Sequence, residues 1–150
     1  LKNHLFLFGG RPSVADFAIA AQFQQMLLDP TPSDWLQDRA PFLVAWCEHM
    51  EDPRAGGPFE DLAVLSETLV PLFKEDLGAT YLPWASANAA SASRNKKRFS
   101  ATLSDGIFEQ STQQYAALAF RSVRAAMAKS GDNASLQEFL ETTGARKYFS

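Results

Sequence analysis

The stretch Leu5-Phe-Leu-Phe-Gly-Gly-Arg-Pro-Ser-Val-Ala-Asp-Phe-Ala-Ile-Ala-Ala-Gln22 decides how the fold begins. In it an apolar run meets two glycines and a proline, and Ser13 and Asp16 then stand three residues apart at the start of an apolar periodicity. At this spacing the Ser hydroxyl accepts a hydrogen bond from one free N–H of a helix, and the carboxylate accepts from another. Ser13 and Asp16 are therefore predicted to form a structural N-capping box, and the box explains both residues without an acid–base role.

The sequence after this box predicts the first group of helices. Apolar residues at helical spacing indicate a helix over 13–28 that is central and buried on most sides, because its polar face is thin. Asp29-Pro-Thr-Pro32 is expected to end it, and Ser33-Asp34 can cap a short helix. A further helix is predicted over 41–50, with a proline suited to its first turn.

The middle of the chain continues the helical pattern with two interruptions. Helix signals run from Phe59 to about Leu77, and Pro71 is expected to kink or split this helix. Gly78 is expected to end it. Residues 85–93 are rich in Ala and Ser and are compatible with either a helix or a linker.

Around 99–110 the hydrophobic period changes from helical to alternating. The Asp105-Gly106 step separates two alternating runs and predicts a small β-hairpin or a tight turn. A second capping box over Ser111–Gln114 predicts a helix to about Lys129, and a third, Ser135 with Glu138, predicts a last helix ending at Gly144. The apolar positions of the first of these two helices are Tyr115, Leu118, Ala119, Ser122, Val123, Ala126 and Met127. The fold class is thus all-α with one small hairpin, in a single helical domain over 1–150.

Composition limits the class of protein. The chain has 150 residues, a net charge of −3 and one cysteine, which excludes an internal disulfide and fits a reducing, cytoplasmic compartment. The acidic balance gives no reason to expect a nucleic-acid partner, and no apolar stretch approaches the roughly 20 residues of a membrane span. No secretory signal is visible. The first residue is Leu rather than Met, which suggests a piece of a longer protein.

Motifs for catalysis, cofactors or metals are not found in the sequence. Walker loops, GxSxG elbows, HExxH and paired-cysteine motifs are missing, so no catalytic, cofactor-binding or metal residue is assigned. Cys47 can be a nucleophile, but its place on an apolar helix face beside Trp46 favours a packing role. His49, between two glutamates, is interpreted as a solvated residue at a helix end. With His4 as the second histidine and no convergent partner, a metal site is not expected.

Two other features have competing interpretations. The basic run Arg94-Asn-Lys-Lys-Arg98 can contact phosphates or an anionic cofactor such as glutathione, but in an acidic chain a short run of this kind is typical of a solvated loop. A set of aromatic residues can line an apolar ligand pocket, although their helical spacing favours core packing. They are Trp35, Phe42, Trp46, Tyr81, Trp84 and Phe99.

The order of these motifs resembles the C-terminal all-α domain of the glutathione S-transferase family. The segment Phe8-Gly-Gly-Arg-Pro-Ser-Val-Ala-Asp16 is similar to that family's loop and capping box, and Pro41-Phe-Leu-Val-Ala-Trp-Cys-Glu-His-Met50 resembles its next helix. Weaker similarities to extended C-termini of uncharacterised bacterial members lie at Trp84–Asn88, Asp105-Gly106 and Gln113–Tyr115. Recognisable motifs are confined to residues 5–52.

The resemblance implies a helical bundle that shapes the hydrophobic acceptor-substrate site of a transferase. In this family glutathione, the co-substrate, and the activating residue belong to an N-terminal thioredoxin-like domain. We expect that domain, and the first two helices of the helical domain, to lie outside these 150 residues. The chain alone is therefore expected to be inactive, with its own N-terminal domain or a homo-oligomer as partner. Alternatives are a non-catalytic helical interaction module and a small-ligand carrier that uses the aromatic residues.

Overall fold

Helices account for most of the chain, as the sequence predicts. The computed structural model describes residues 4–131 and 133–149. Packing divides the chain into two units, Leu1–Asp61 and Leu62–Ser150, and each is described by itself. The prediction that 1–150 forms one domain stays a prediction.

The first unit contains three helices. They are α1 (Val14–Leu27), α2 (Pro30–Arg39) and α3 (Pro41–His49), so the predicted helices over 13–28 and 41–50 are confirmed to within one or two residues. The predicted cap of the short helix at Ser33-Asp34 is wrong, because α2 begins at Pro30 and Asp29 caps it by accepting from Thr31 N at 3.0 Å. A proline fits the first turn of a helix, where its missing N–H removes a donor that would have no partner.

The core of the first unit lies between α1, α3 and the segment before them. Its buried members are Phe6, Ala20, Trp46, Cys47 and Met50, with Leu7, Phe23, Leu27 and Leu43 partly buried against them. Cys47 is 2% exposed, so its predicted packing role agrees with its position. The prediction that α1 is buried on most sides is wrong, since only Asp16 and Ala20 of this helix are buried.

The second unit begins with a continuous helical stretch whose middle is unusual. It consists of α4 (Leu62–Pro71), a π-helix (Leu72–Tyr81) and α5 (Leu82–Ser93). Pro71 has no N–H to continue the α-helical ladder, and beyond it the chain forms the wider turns of a π-helix. The predicted helix end at Gly78 is wrong. Gly78 lies inside the π-helix, where a Cβ would stand 2.5 Å from the carbonyl oxygen of Phe73.

The predicted hairpin is confirmed. It consists of β1 (Arg98–Leu103) and β2 (Gly106–Ser111), which pair antiparallel with Arg98 opposite Ser111 and Leu103 opposite Gly106. Gly106 has a φ of +124°, a conformation that favours glycine and explains why this residue follows the turn.

The two remaining α-helices differ from the prediction in their caps. They are α6 (Gln114–Lys129) and α7 (Ala134–Thr142), followed by a 3-10 turn over Arg146–Tyr148. Gln113 is the N-cap residue of α6 and Ser111 belongs to β2, while Asn133 caps α7 by accepting from Leu136 N at 3.0 Å. The second and third predicted capping boxes are therefore wrong.

The apolar positions named for α6 do not by themselves identify the face that it buries. Ala117 and Phe120 are buried, whereas Tyr115, Leu118 and Val123 are exposed. The helix carries apolar residues on two faces, so its periodicity cannot decide which one meets the core. The core of this unit consists of Leu82, Ala85, Ala89, Ala92, Ala117, Phe120, Leu140 and Ala145. Residues 85–93 are thus a core helix, whose small alanines allow close packing.

Candidate functional site

The capping box of α1 has two more hydrogen bonds than the reciprocal pair that its sequence spacing predicts. Ser13 Oγ accepts from Asp16 N at 3.4 Å, and Asp16 Oδ2 accepts from Ser13 N at 2.8 Å and from Ser13 Oγ at 2.6 Å. The other oxygen, Oδ1, accepts from Leu7 N at 2.7 Å. Asp16 is fully buried, and both of its oxygens are occupied. The carboxylate therefore joins the start of the chain to α1, and neither oxygen is left for proton transfer to a substrate.

The same opening segment is held from its other side by a glycine-rich loop. Gly10 N donates to Pro58 O at 2.8 Å, and Gly10 O accepts from the N–H groups of Gly56 and Gly57 at 2.7 and 3.0 Å. A Cβ on Gly10 would lie 2.7 Å from Gly57 Cα, so glycine is required for this close approach. The cleft beside these backbones, about 290 Å³ in volume, contains His4 and Glu60, whose Nδ1 and Oε1 are 3.9 Å apart.

The chemistry of Cys47 and His49 is limited by the apolar surroundings of α3. Burial raises the pKa of the Cys47 thiol, which keeps it in the protonated, poorly nucleophilic form. His49 is not the solvated residue that the sequence suggested, because its ring stacks on Phe6 with centroids 5.3 Å apart and its Nε2 is buried. Among the described residues neither this nitrogen nor Trp46 Nε1 has a hydrogen-bond partner.

The largest unexplained feature of the first unit is the apolar surface of α1. Val14 is 86% exposed and Phe17 52%, and Ala21, one turn further on the same face, is exposed as well. We call these three residues the α1 surface. Exposed apolar residues grouped on one face of a helix are typical of a surface that binds a ligand or another protein. Sequence periodicity missed the surface because α1 is apolar around most of its circumference.

The six aromatic residues do not form one pocket in either unit. Trp35 and Phe42 are exposed while Trp46 is buried in the core of the first unit. In the second unit Trp84 lies between the other two, with its ring centroid 6.0 Å from that of Tyr81 and 6.0 Å from that of Phe99. The core packing that the helical spacing favoured is confirmed for Trp46 and Phe99, and Trp84 is partly buried against the core of the second unit. It is wrong for the three exposed residues Trp35, Phe42 and Tyr81.

A polar stripe along α5 holds the hairpin in place. Trp84 Nε1 donates to Gln110 Oε1 at 2.9 Å, and Ser91 Oγ lies 2.8 Å from Thr112 Oγ1. Between them Asn88, which is fully buried, donates to Gln113 O at 2.9 Å and accepts from Gln113 N at 2.8 Å. The spacing of four and three residues puts all three on one helix face. The sequence signal for this face is the helical spacing of Trp84, Asn88 and Ser91. The prediction of either a helix or a linker over 85–93 did not use it.

The basic run lies beside this stripe. Arg94, Lys96 and Arg98 border a cleft of about 320 Å³ between α5 and β1, and all three side chains are exposed. Within residues 4–131 and 133–149, no group of three or more His, Cys, Asp or Glu side chains is arranged to hold a metal ion. In the same residues no helix has the length and apolar character that crossing a bilayer requires.

Comparison with known proteins bears on the first unit. Residues 1–49 match the family model described as glutathione S-transferase, C-terminal domain. The resemblance seen in the motifs of residues 5–52 is therefore confirmed for this first third of the chain. No curated protein and no solved structure matches the chain significantly.

Proposed function

We propose that the unit ending at Asp61 is part of the helical domain of a glutathione S-transferase-like protein and shapes the apolar site for the acceptor substrate. In this proposal glutathione, the co-substrate, binds to a thioredoxin-like domain outside these 150 residues, where the thiolate is also activated. The family match of residues 1–49 supports the domain assignment.

The α1 surface is the observation that carries the acceptor role. Val14 and Phe17 stand one turn apart and are more than half exposed, and Ala21 extends the same face. An aromatic electrophile that covers them removes apolar area from water, which stabilises binding by about 2.5 kcal/mol for each 100 Å² buried. Asp16, on the opposite side of the helix, fixes the start of α1 and so the position of Phe17.

The test uses a neutral apolar dye, Nile red, so that charge does not contribute to binding. We expect an aryl halide to displace the dye from the chain, and Phe17→Gln to weaken dye binding about three- to tenfold because the aromatic contact is lost. Ile107→Gln is the matched control, since Ile107 is 77% exposed on the hairpin of the other unit. Equal binding by Phe17→Gln and the unaltered chain would refute the acceptor role.

A second experiment addresses the assignment of the chemistry to another domain. With glutathione and an aryl halide, the 150-residue chain should give no conjugate above the uncatalysed rate. A rate above that background, lost on unfolding the protein, would show that the catalytic group lies in this chain.

A non-catalytic interaction module is the second candidate, and the exposed face of α6 favours it. Tyr115 is 86% exposed, Leu118 is also exposed, and small Ala119 and Ser122 next to them allow a second helix to approach closely. A homo-oligomer formed through this face would appear in sedimentation velocity as a concentration-dependent species that Leu118→Lys abolishes. Sedimentation as a monomer at high concentration would count against it.

A further inference from the structure

The outer edge of β1 is open for part of its length. Thr112 N donates to Lys97 O at 2.9 Å, so the register makes residues 97, 99, 101 and 103 the hydrogen-bonded partners of β2. The N–H and C=O groups of Arg98, Ser100 and Thr102 therefore point away from β2. The sheet has two strands, so these groups face a free edge.

The two ends of this edge are occupied and its centre is not. Arg98 O accepts from Ser91 Oγ at 3.2 Å, and Ser104 N donates to Ala79 O at 3.1 Å. Between them, within the part of the chain that the structure describes, the backbones of Ser100 and Thr102 make no hydrogen bond outside the hairpin. Two donors and two acceptors are thus available at strand spacing, as in proteins that bind a peptide by adding a strand to a sheet.

The cleft of about 320 Å³ at the Arg98–Ser100 end of this edge gives an added strand room there. Ala87 and Ala90 of α5 form one wall, and Ser100 of β1 belongs to the other. Because the alanine side chains are short, small apolar residues of an incoming peptide can face them while alternate residues point to solvent.

The charges around the cleft select the kind of peptide. Arg94, Lys96 and Arg98 line it and Lys97 lies beside them, and in the described residues none of the four takes part in an ion pair. On the same face of the hairpin, the register places Glu109 of β2 opposite Ser100. Four cations at an edge oppose pairing with a second copy of the same edge, because like charges would meet, and they favour an acidic strand.

The basic loop is also held in a fixed conformation. Thr112 Oγ1 donates to Lys96 O at 2.7 Å and lies 2.8 Å from Oγ of Ser91, which is only 5% exposed. Asn95 takes a φ of +52°, a left-handed conformation that asparagine tolerates well, and this reverses the chain between α5 and β1. A loop fixed in this way loses little conformational freedom when it binds a ligand.

We propose that the free edge of β1 binds an extended acidic peptide segment as a third strand. The backbones of Ser100 and Thr102 hydrogen-bond to it, and Arg94, Lys96 and Arg98 contact its carboxylates. Alternating small apolar and acidic residues match the two faces of the site. This function belongs to the second unit and does not rest on the transferase proposal.

The test measures binding of a fluorescein-labelled peptide of alternating Val and Glu by fluorescence anisotropy. Thr102→Pro removes the outward N–H and blocks the edge without removing a hydrogen bond between β1 and β2. Ile107→Pro is the matched control, because Ile107 is opposite Thr102 and its N–H points to the outer edge of β2. We expect Thr102→Pro to raise Kd about tenfold or more and Ile107→Pro to leave it unchanged.

A second peptide, with the same charges but N-methylated on every backbone nitrogen, keeps the test decisive if a proline variant fails to fold. It should bind the unaltered protein at least about tenfold more weakly, because it cannot donate to the strand edge. Equal binding of the two peptides would overturn the proposal. A second result would also overturn it: a single-stranded oligonucleotide that binds more tightly than the peptide, with an affinity that Thr102→Pro does not change. The basic side chains would then bind a nucleic acid, and the strand edge would not take part.

Discussion

Replacing Asp16 by Asn tests whether one buried carboxylate fixes the start of the first unit. Three donors now point at its two oxygens: Leu7 N at 2.7 Å, Ser13 N at 2.8 Å and Ser13 Oγ at 2.6 Å. Asparagine keeps one acceptor oxygen and places an NH₂ group where the other oxygen was. That group faces a backbone N–H, so two donors meet and one buried N–H loses its partner.

The cost follows from the number of partners lost. A buried backbone N–H without an acceptor costs about 1–3 kcal/mol, and replacing a charged acceptor by a neutral one weakens the remaining bonds by about 1 kcal/mol. We therefore expect Asp16→Asn to lower the free energy of unfolding by about 2–4 kcal/mol. Asp16→Ala should cost about 3–5 kcal/mol, because the N–H groups of both Leu7 and Ser13 lose their acceptor.

Urea unfolding followed by circular dichroism gives the stability, and hydrogen exchange read by mass spectrometry locates the change. The matched control is Asp29→Asn, since Asp29 caps α2 through a single exposed bond to Thr31 N at 3.0 Å and asparagine caps a helix equally well. That variant should change stability by less than about 0.5 kcal/mol. The reasoning is refuted if Asp16→Asn matches this control, or if the Leu7 amide stays protected from exchange in it.

Two further predictions concern the second unit and Cys47. Asn88→Ala leaves the N–H of Gln113 without its acceptor and should lower the free energy of unfolding by about 2–3 kcal/mol. The control Ser93→Ala, at the exposed end of α5, should change it by less than about 0.5 kcal/mol. Equal urea unfolding curves for the two variants would contradict the anchoring role of Asn88. Because burial raises the pKa of Cys47, its stabilising contribution is present below the pKa of the unfolded thiol and is lost as pH rises through the folded-state value. Cys47 should therefore react slowly with iodoacetamide at pH 8 in the native protein and rapidly in urea. The native protein should also lose stability at alkaline pH, and Cys47→Ala should reduce this loss. Rapid alkylation of the native protein would instead show an accessible thiolate.

The parts of the fold that sequence predicted are those set by neighbouring residues. The start of α1 depends on a hydroxyl and a carboxylate three residues apart, and the turn of the hairpin depends on a glycine that adopts a φ of +124°. Pro41 marks the first turn of α3 for the same local reason, its missing N–H. Each of these signals lies within about four residues, which is the range over which side chains satisfy their own backbone.

The features that sequence missed depend on distant partners. The bond from Leu7 N to Asp16 requires the chain to reverse between Phe6 and Gly9, and the glycine loop that holds Gly10 just after this turn lies more than forty residues away. The stretch Leu72–Tyr81 after Pro71 is a π-helix, and the spacing of apolar residues along the sequence does not distinguish a π-helix from an α-helix. On α6 the choice between its two apolar faces is made by the packing of Phe120 in the core.

The division into units limits how far the family match can be extended. The match ends at residue 49 and the first unit at Asp61, so the polar stripe of α5, the hairpin and the basic cleft lie outside the matched sequence. The proposed acceptor role of the α1 surface draws its support from the match of residues 1–49, whereas the proposed binding at the edge of β1 draws its support only from the geometry of Ser100, Thr102 and the cations beside them. Because Phe17 and Thr102 belong to different units with separate cores, each variant should affect one binding activity and leave the other unchanged. Loss of both activities in one variant would mean that the two units depend on each other for folding.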